Sequence, residues 1–276
     1  MIMYCRELAK AVKARVVLKN WNSTENQINL SVISVGEDPA SQSYIKSKEK
    51  ACSECGFDFT HYELYDGVEE KEVLDLINRL NNNKKVTGIL VQLPLPKHLD
   101  AIKITEAINP IKDVDGFHPI NIGKLSQGIA DLVPCTPSGI LEILKDIFPS
   151  LDGLKVCIVG RSNIVGKPLA MLLLNENATV TVCHSKTVGL KKELYDADVV
   201  VSAVGIPNFI DSKDLGHNTI VIDVGINRLE NGSLCGDVKV RPDFGGIATA
   251  VPGGVGLMTV AKLMENLYTA YELQNR

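Results

Sequence analysis

The stretch from Lys155 to Pro168, KVCIVGRSNIVGKP, decides the fold. Its apolar run Val156-Cys157-Ile158-Val159 reads as a buried strand, since short apolar runs closed by turn residues belong inside a sheet. The run enters a turn flanked by Gly160 and Gly166 and leaves into a helix opening near Val165. Backbone N–H groups in such a turn can face an anion, and the helix start adds the positive end of its dipole. The spacing, Gly160 and Gly166 with Ser162 between them, departs from G-x-G-x-x-G. By itself it therefore fits either a dinucleotide site or a plain strand-turn-helix.

Around this stretch the chain alternates strand and helix. A helix from Ser138 to about Phe148 precedes strands at 155–159, 178–183, 198–203 and 219–223, separated by helices or turns. Upstream, a helix over about 6–19 leads to strands Ile28–Val35, Phe57–Leu64 and Val86–Val91, with helices near 40–55 and 69–82. Such alternation implies parallel sheets with right-handed crossovers and places functional groups at the carboxyl ends of strands. Between the two series lies a Pro- and Gly-rich passage, Pro94 to Pro137, with one helix near 98–108 and a turn-rich segment, KDVDGFHPINIGKL. It reads as a cleft wall and hinge. The expected fold is a two-lobed α/β protein: an N-terminal α/β lobe at 1–138, a Rossmann-like lobe at 139–255, and a final helix within 256–276 that packs back on the first lobe.

Composition narrows the partners. The 276 residues suffice for two α/β lobes with real cores. With 29 basic against 33 acidic residues and a net charge of −4, the chain lacks the basic field that nucleic acid requires. The opening MIMYCRELAK reaches Arg6 and Glu7 too early for a signal peptide, and no apolar run approaches the roughly 20 residues of a membrane helix. A cytoplasmic protein without membrane contact is expected. Seven scattered cysteines fit reduced core thiols better than a disulfide framework, and Cys52-x-x-Cys55 lacks a second pair or a nearby histidine. No metal site is expected.

Four places carry candidate chemistry. Asp38-Pro39 and Gly56 delimit a helix on which Tyr44 and Lys48 lie one turn apart, on a face continued by Ala51, Cys52 and Cys55. Desolvation there would push the lysine pKa toward neutrality and suit it to proton transfer, while a lysine that snorkels out to solvent is the alternative. Gln92 follows an apolar strand in VQLPLP, where an amide either serves a ligand or satisfies loop backbone. Asp113 and Asp115 in KDVDGF are a carboxylate pair or turn residues. In the second lobe the strand to Cys183 is followed by His184-Ser185-Lys186, without the acid that an NAD site usually carries. Arg161, Ser162, Ser185 and Lys186 offer charge and hydrogen bonds to a 2′-phosphate instead, which points to NADP.

Together these motifs resemble the methylenetetrahydrofolate dehydrogenase/methenyltetrahydrofolate cyclohydrolase family over nearly the whole chain. The matching pieces are SQSYIKSKEKACSECG, GILVQLPLP, KDVDGFHPINIGKL, PCTPSG, VGRSNIVGKP, CHSKT and ATAVPGGVGLMT, in family order. The resemblance implies NADP-dependent oxidation of 5,10-methylenetetrahydrofolate, then hydrolysis of the methenyl product to 10-formyltetrahydrofolate in a cleft between the lobes. It implies Lys48, Gln92, Tyr44 and Asp115 as catalytic residues, with Ser41, Leu93 and Pro252-Gly253-Gly254-Val255 completing the folate site. Cofactor contacts are implied at Thr136, Gly160, Arg161, Ser162, Ile164, His184, Ser185 and Ile226, and a homodimer through the nucleotide lobe. A dehydrogenase without cyclohydrolase activity, an NADP dehydrogenase for a small hydroxy or keto acid, and a non-catalytic nucleotide sensor use some of the same features.

Overall fold

The computed structural model describes residues 1–21 and 27–276. In chain order the elements are β1 (Ile2–Met3), α1 (Arg6–Trp21), β2 (Asn29–Val35), α2 (Pro39–Cys55), β3 (Asp58–Leu64), α3 (Glu70–Asn82), β4 (Gly88–Val91), α4 (Ala101–Glu106), α5 (Pro119–Ser126) and α6 (Cys135–Ile147). They continue with β5 (Lys155–Val159), α7 (Gly166–Asn175), β6 (Thr179–Cys183), α8 (Leu190–Tyr195), β7 (Val199–Ser202), β8 (Ile210–Asp211) and β9 (Ile220–Asp223). Last come β10 (Asn227–Arg228), β11 (Leu234–Cys235), β12 (Val238–Lys239), β13 (Ile247–Thr249) and α9 (Val255–Gln274). Two compact units form: Lys10–Cys135 with Val260–Arg276, hereafter the first unit, and Met1–Ala9 with Thr136–Thr259, the second.

In the first unit a parallel sheet runs in the order β3-β2-β4. The alternation of β2 sends Leu30 and Val32 into one layer with Leu90 and the α9 residues Leu263 and Leu267. Ile33 and Val35 enter the opposite layer with Ile89 and Val91. Helix α3 covers that second layer through Val73, Leu76, Ile77 and Leu80, whose spacing makes one stripe. Each such side chain contributes about 1.5–3 kcal/mol of hydrophobic stabilisation. The chain passes from β2 to β3 on one side and then to β4 on the other, so the sheet has a switch point between the ends of β2 and β4.

The second unit holds a six-stranded parallel sheet, β1-β13-β9-β7-β5-β6. Its strands β5, β7 and β9 are buried along nearly their whole length, as a sheet covered on both faces requires. Here the chain leaves β5 for β6 on one side and returns to β7 on the other, giving a second switch point between β5 and β7.

One sequence expectation needs correction. Residues 1–9 belong with the second unit, because Ile2 and Met3 pair with Ala248 and Thr249 at the sheet edge. Two residues are too few to show strand periodicity, so the pairing was invisible in the sequence. The turn-rich segment also holds a helix, α5, that opens at Pro119 with the His118 side chain accepting the Ile120 N–H. Among the described residues, no helix is long and apolar enough to cross a membrane.

Candidate active site

Each switch point gathers one cluster of functional side chains. In the first unit, Gln92 follows β4 directly and its N–H is tied to the Ile33 carbonyl at 2.8 Å. Its side-chain amide donates to the Leu93 carbonyl at 2.8 Å, which leaves the oxygen to accept from Lys48 Nζ, also at 2.8 Å. The backbone thus fixes which end of the amide the lysine meets.

Lys48 is buried, and α2 holds it there with a cap at each end. Asp38 accepts the Ser41 N–H at 2.8 Å, and Gly56 closes the helix at φ 71°. Burial lowers the lysine pKa below the ordinary value, partly countered by the negative charge of Asp115. Asp115 is itself raised by burial, with Lys48 pulling the other way. Its surface is not wholly covered, yet protein atoms crowd it closely enough for desolvation to dominate. Tyr44, half-buried one turn before Lys48, has its phenol pushed up by burial.

Asp113 is a turn residue. Its carboxylate accepts from the Gly116 and His118 N–H groups and from Asn121 Nδ2, at 2.8–3.2 Å. Gly116, at φ +75°, packs where a Cβ would lie 2.6 Å from the Val133 carbonyl carbon. Asn266 Nδ2 then donates to the carbonyls of Val114 and Val133, at 2.9 and 2.8 Å, which sets the Asp115 loop against α9. Cys135, buried beside it, donates its thiol to the Val114 carbonyl at 3.3 Å. Sequence reasoning passed over Cys135 and Asn266, although Cys135 stands in the PCTPSG motif. All seven cysteines are free thiols, and burial pushes Cys52 up to about 12 and Cys55 to about 11, as expected of core residues.

A polar depression of about 1020 Å³ in the same unit is lined by Asn29, Asp58, Val86, Thr87 and Lys85 among others. It lies at the amino ends of the strands and contains none of Tyr44, Lys48, Gln92 or Asp115. Doubly wound sheets bind ligands at the carboxyl ends, so the lysine cluster is the better candidate.

In the second unit, the loops after β5 and β7 meet at Gly160. Its φ is +127°, and a Cβ there would stand 2.4 Å from the Ala203 carbonyl oxygen. A Cβ on Gly166 would stand 2.1 Å from the Gly160 oxygen. Gly160→Ala is therefore expected to destabilise this unit by about 2–4 kcal/mol, combining backbone strain with overpacking. Chemical denaturation checks this; an unchanged midpoint would mean that the loop yields freely.

Four amides around the start of α7 are bonded within the protein. Ser162 Oγ accepts from the Val165 and Gly166 N–H groups at 3.1 and 3.4 Å, the Ser162 carbonyl accepts from Lys167, and Gly160 N–H donates to Cys183. A serine caps this helix start, which is what Ser162 is chemically suited to do. Arg161, Ser185 and Lys186 are exposed at the ends of β5 and β6. His184 accepts the Lys186 N–H on Nδ1 at 3.2 Å, and Thr187 Oγ1 accepts the His184 N–H at 2.8 Å, so the turn is pre-shaped. Ile164 and Ile226 are exposed at 41% and 43%. Thr136 Oγ1 lies 3.0 Å from Thr259 Oγ1. Pro252 to Val255 also lie in this unit; Gly253 adopts φ +109° and its carbonyl accepts from Cys5.

Comparison with known proteins gives both units a family. The model for the tetrahydrofolate dehydrogenase/cyclohydrolase catalytic domain matches residues 3–115, and that for the NAD(P)-binding domain matches residues 134–275. The chain belongs to the tetrahydrofolate dehydrogenase/cyclohydrolase family. The bifunctional protein FolD of Acetivibrio thermocellus is 49% identical over 98% of this chain and 96% of its own length. The crystal structure of the bifunctional enzyme FolD, a methylenetetrahydrofolate dehydrogenase/cyclohydrolase from Campylobacter jejuni, superposes with a TM-score of 0.94 at 44% identity, covering 99% of each chain. A Trypanosoma brucei dehydrogenase-cyclohydrolase, complexed with NADP cofactor and inhibitor, follows with a TM-score of 0.92 at 34% identity, covering 100% of this chain and 98% of that one.

Proposed function

We propose that this family member oxidises 5,10-methylenetetrahydrofolate with NADP and hydrolyses the methenyl product to 10-formyltetrahydrofolate. The observation that carries the reading is the buried Lys48, hydrogen-bonded to Gln92 and facing Asp115 at a strand-end switch point. In this reading the first unit binds folate and the second binds NADP.

The second unit's residues fit that cofactor. Gly160 and Gly166 admit no side chain where the loops converge, and the cationic and hydroxyl groups of Arg161, Ser162, Ser185 and Lys186 suit a 2′-phosphate. Thr136 and His184 add polar contacts, and the exposed Ile164 and Ile226 cover ring faces. Bound NADP supplies a hydride acceptor. The lone pair of the substrate nitrogen stabilises the cation that develops, so the protein's share of the first reaction is positioning.

Hydrolysis demands more of the chain. With its pKa lowered, Lys48 holds an amine able to take a proton from attacking water and return it as the ring opens. Gln92 orients that amine through its fixed oxygen. Asp115 accepts from the pterin amino and ring N–H groups, Tyr44 stacks on the ring, and Ser41 and Leu93 complete the first unit's folate contacts.

Absorbance of the purified protein with 5,10-methylenetetrahydrofolate plus NADP, and then loss of added methenyl substrate, tests both steps. Cofactor reduction without accelerated methenyl loss would leave a dehydrogenase alone; neither activity would overturn the reading. Replacing Arg161 and Lys186 together by alanine is expected to raise the KM for NADP about tenfold or more while hardly moving that for NAD. Equal changes for both cofactors would remove these side chains from the 2′-phosphate. The proposal extends to a cytoplasmic homodimer formed through the nucleotide unit, symmetric pairs being the commonest assembly. Sedimentation of the purified protein checks the dimer.

A further inference from the structure

The most densely hydrogen-bonded carboxylate among the described residues lies outside the residues assigned so far. Asp237 is fully buried, and its Oδ2 accepts from the N–H groups of Val204 and Gly205, at 2.8 and 3.1 Å, and from Ser202 Oγ at 3.3 Å. Its Oδ1 accepts from the Ile206 N–H at 3.0 Å and from Asn227 Nδ2 at 2.9 Å. Three successive backbone amides converging on one anion make a nest, of the kind that elsewhere holds a phosphate. Here the protein fills it with its own side chain.

Asp223, at the end of β9, supports the arrangement from behind. Its carboxylate accepts from the N–H groups of Gly225, Asp237 and Val238, at 2.8–3.0 Å. Burial, reinforced by the charge of Asp237, pushes it up to about 6. The packing admits nothing more: a Cβ on Gly225 would meet Asp237 Oδ1 at 2.1 Å, and one on Gly236 would meet Asp223 Oδ2 at 1.9 Å.

The segments so held are those that follow β7 and β9. The first contains Ala203, whose carbonyl abuts Gly160, and the second contains the exposed Ile226. Both stand at carboxyl ends of the parallel sheet, where the family's cofactor is expected. We infer that Asp237 is a positioning residue for the dehydrogenase reaction, holding the Ala203–Ile206 and Val224–Asn227 segments in the shape that receives NADP. This inference rests on the reading of the second unit as the NADP site.

The test uses the full chain carrying Asp237→Asn, assayed well below its unfolding midpoint. An amide of the same shape puts an N–H group where donors now converge. The dissociation constant for NADP, measured by cofactor fluorescence, should rise at least about tenfold, the scale of one lost charge-assisted hydrogen bond. Hydrolysis of added methenyl substrate, which depends on Lys48, should stay within about twofold. A merely structural role would lower the midpoint and leave the affinity of the folded protein unchanged, and that result would overturn the inference. Should Asp237→Asn not fold, Asn227→Ala removes one donor and decides the matter: NADP affinity weakened about threefold or more supports the inference, and unaltered affinity sinks it. If the wild-type protein itself binds no NADP, the functional reading fails, which is a separate outcome.

Discussion

Replacing Lys48 by methionine is expected to lower the cyclohydrolase rate by about 10²–10⁴, the usual worth of a positioned acid or base, while much of the dehydrogenase rate survives. The asymmetry follows from the chemistry. Hydride departure draws on the substrate's own nitrogen lone pair, whereas water attack and ring opening each move a proton that solvent must otherwise carry. Methionine suits the test because it is unbranched, fills a similar volume and carries no charge to bury. Its cost is the Gln92 oxygen, which loses the donor it now has at 2.8 Å. The burial that lowers the lysine pKa also means that the ammonium is destabilising where it sits, so the variant should unfold at or near the wild-type midpoint. The measurement is the pair of rates on one preparation. Wild-type values for both would remove Lys48 from the mechanism.

How much of this was legible in the sequence depended on how local each feature is. The buried strands β4 and β5 announce themselves because a strand covered on both faces is almost wholly apolar, and Gln92 and Gly160 could be singled out because each follows such a run. Tyr44 and Lys48 could be paired because helical spacing is regular. Helix α5 was hidden by its Pro, Gly and Asn content, which reads as a turn until His118 is seen capping it. That the Ser162 hydroxyl also caps α7 was not legible, because it is a choice made by rotamer and not by residue type. Asp237 was out of reach for another reason: its donors come from Ser202, Val204, Gly205, Ile206 and Asn227, and no short-range pattern ties an acid to partners 10 to 35 positions away.

Removal of the Asp115 charge should affect two quantities in different ways, and the pair separates its two roles. As the pterin acceptor proposed above it would form charge-assisted hydrogen bonds worth about 1.5–3 kcal/mol each, so Asp115→Ala should weaken folate binding on the order of 10²-fold. An unaltered substrate affinity would contradict that role. As a neighbour of Lys48 it favours the ammonium form, opposing the burial that lowers the lysine pKa. Below its folded-state pKa Lys48 is charged and cannot accept a proton, so the logarithm of the cyclohydrolase rate should climb with pH and level off once the amine is neutral. Taking away the carboxylate leaves burial unopposed. In Asp115→Asn, with saturating substrate, the inflection should therefore move to lower pH than in the wild type, even while the affinity falls. An inflection that moves upward would mean that the group titrating in the profile is an acid relieved of its own burial, and Lys48 would no longer be the base.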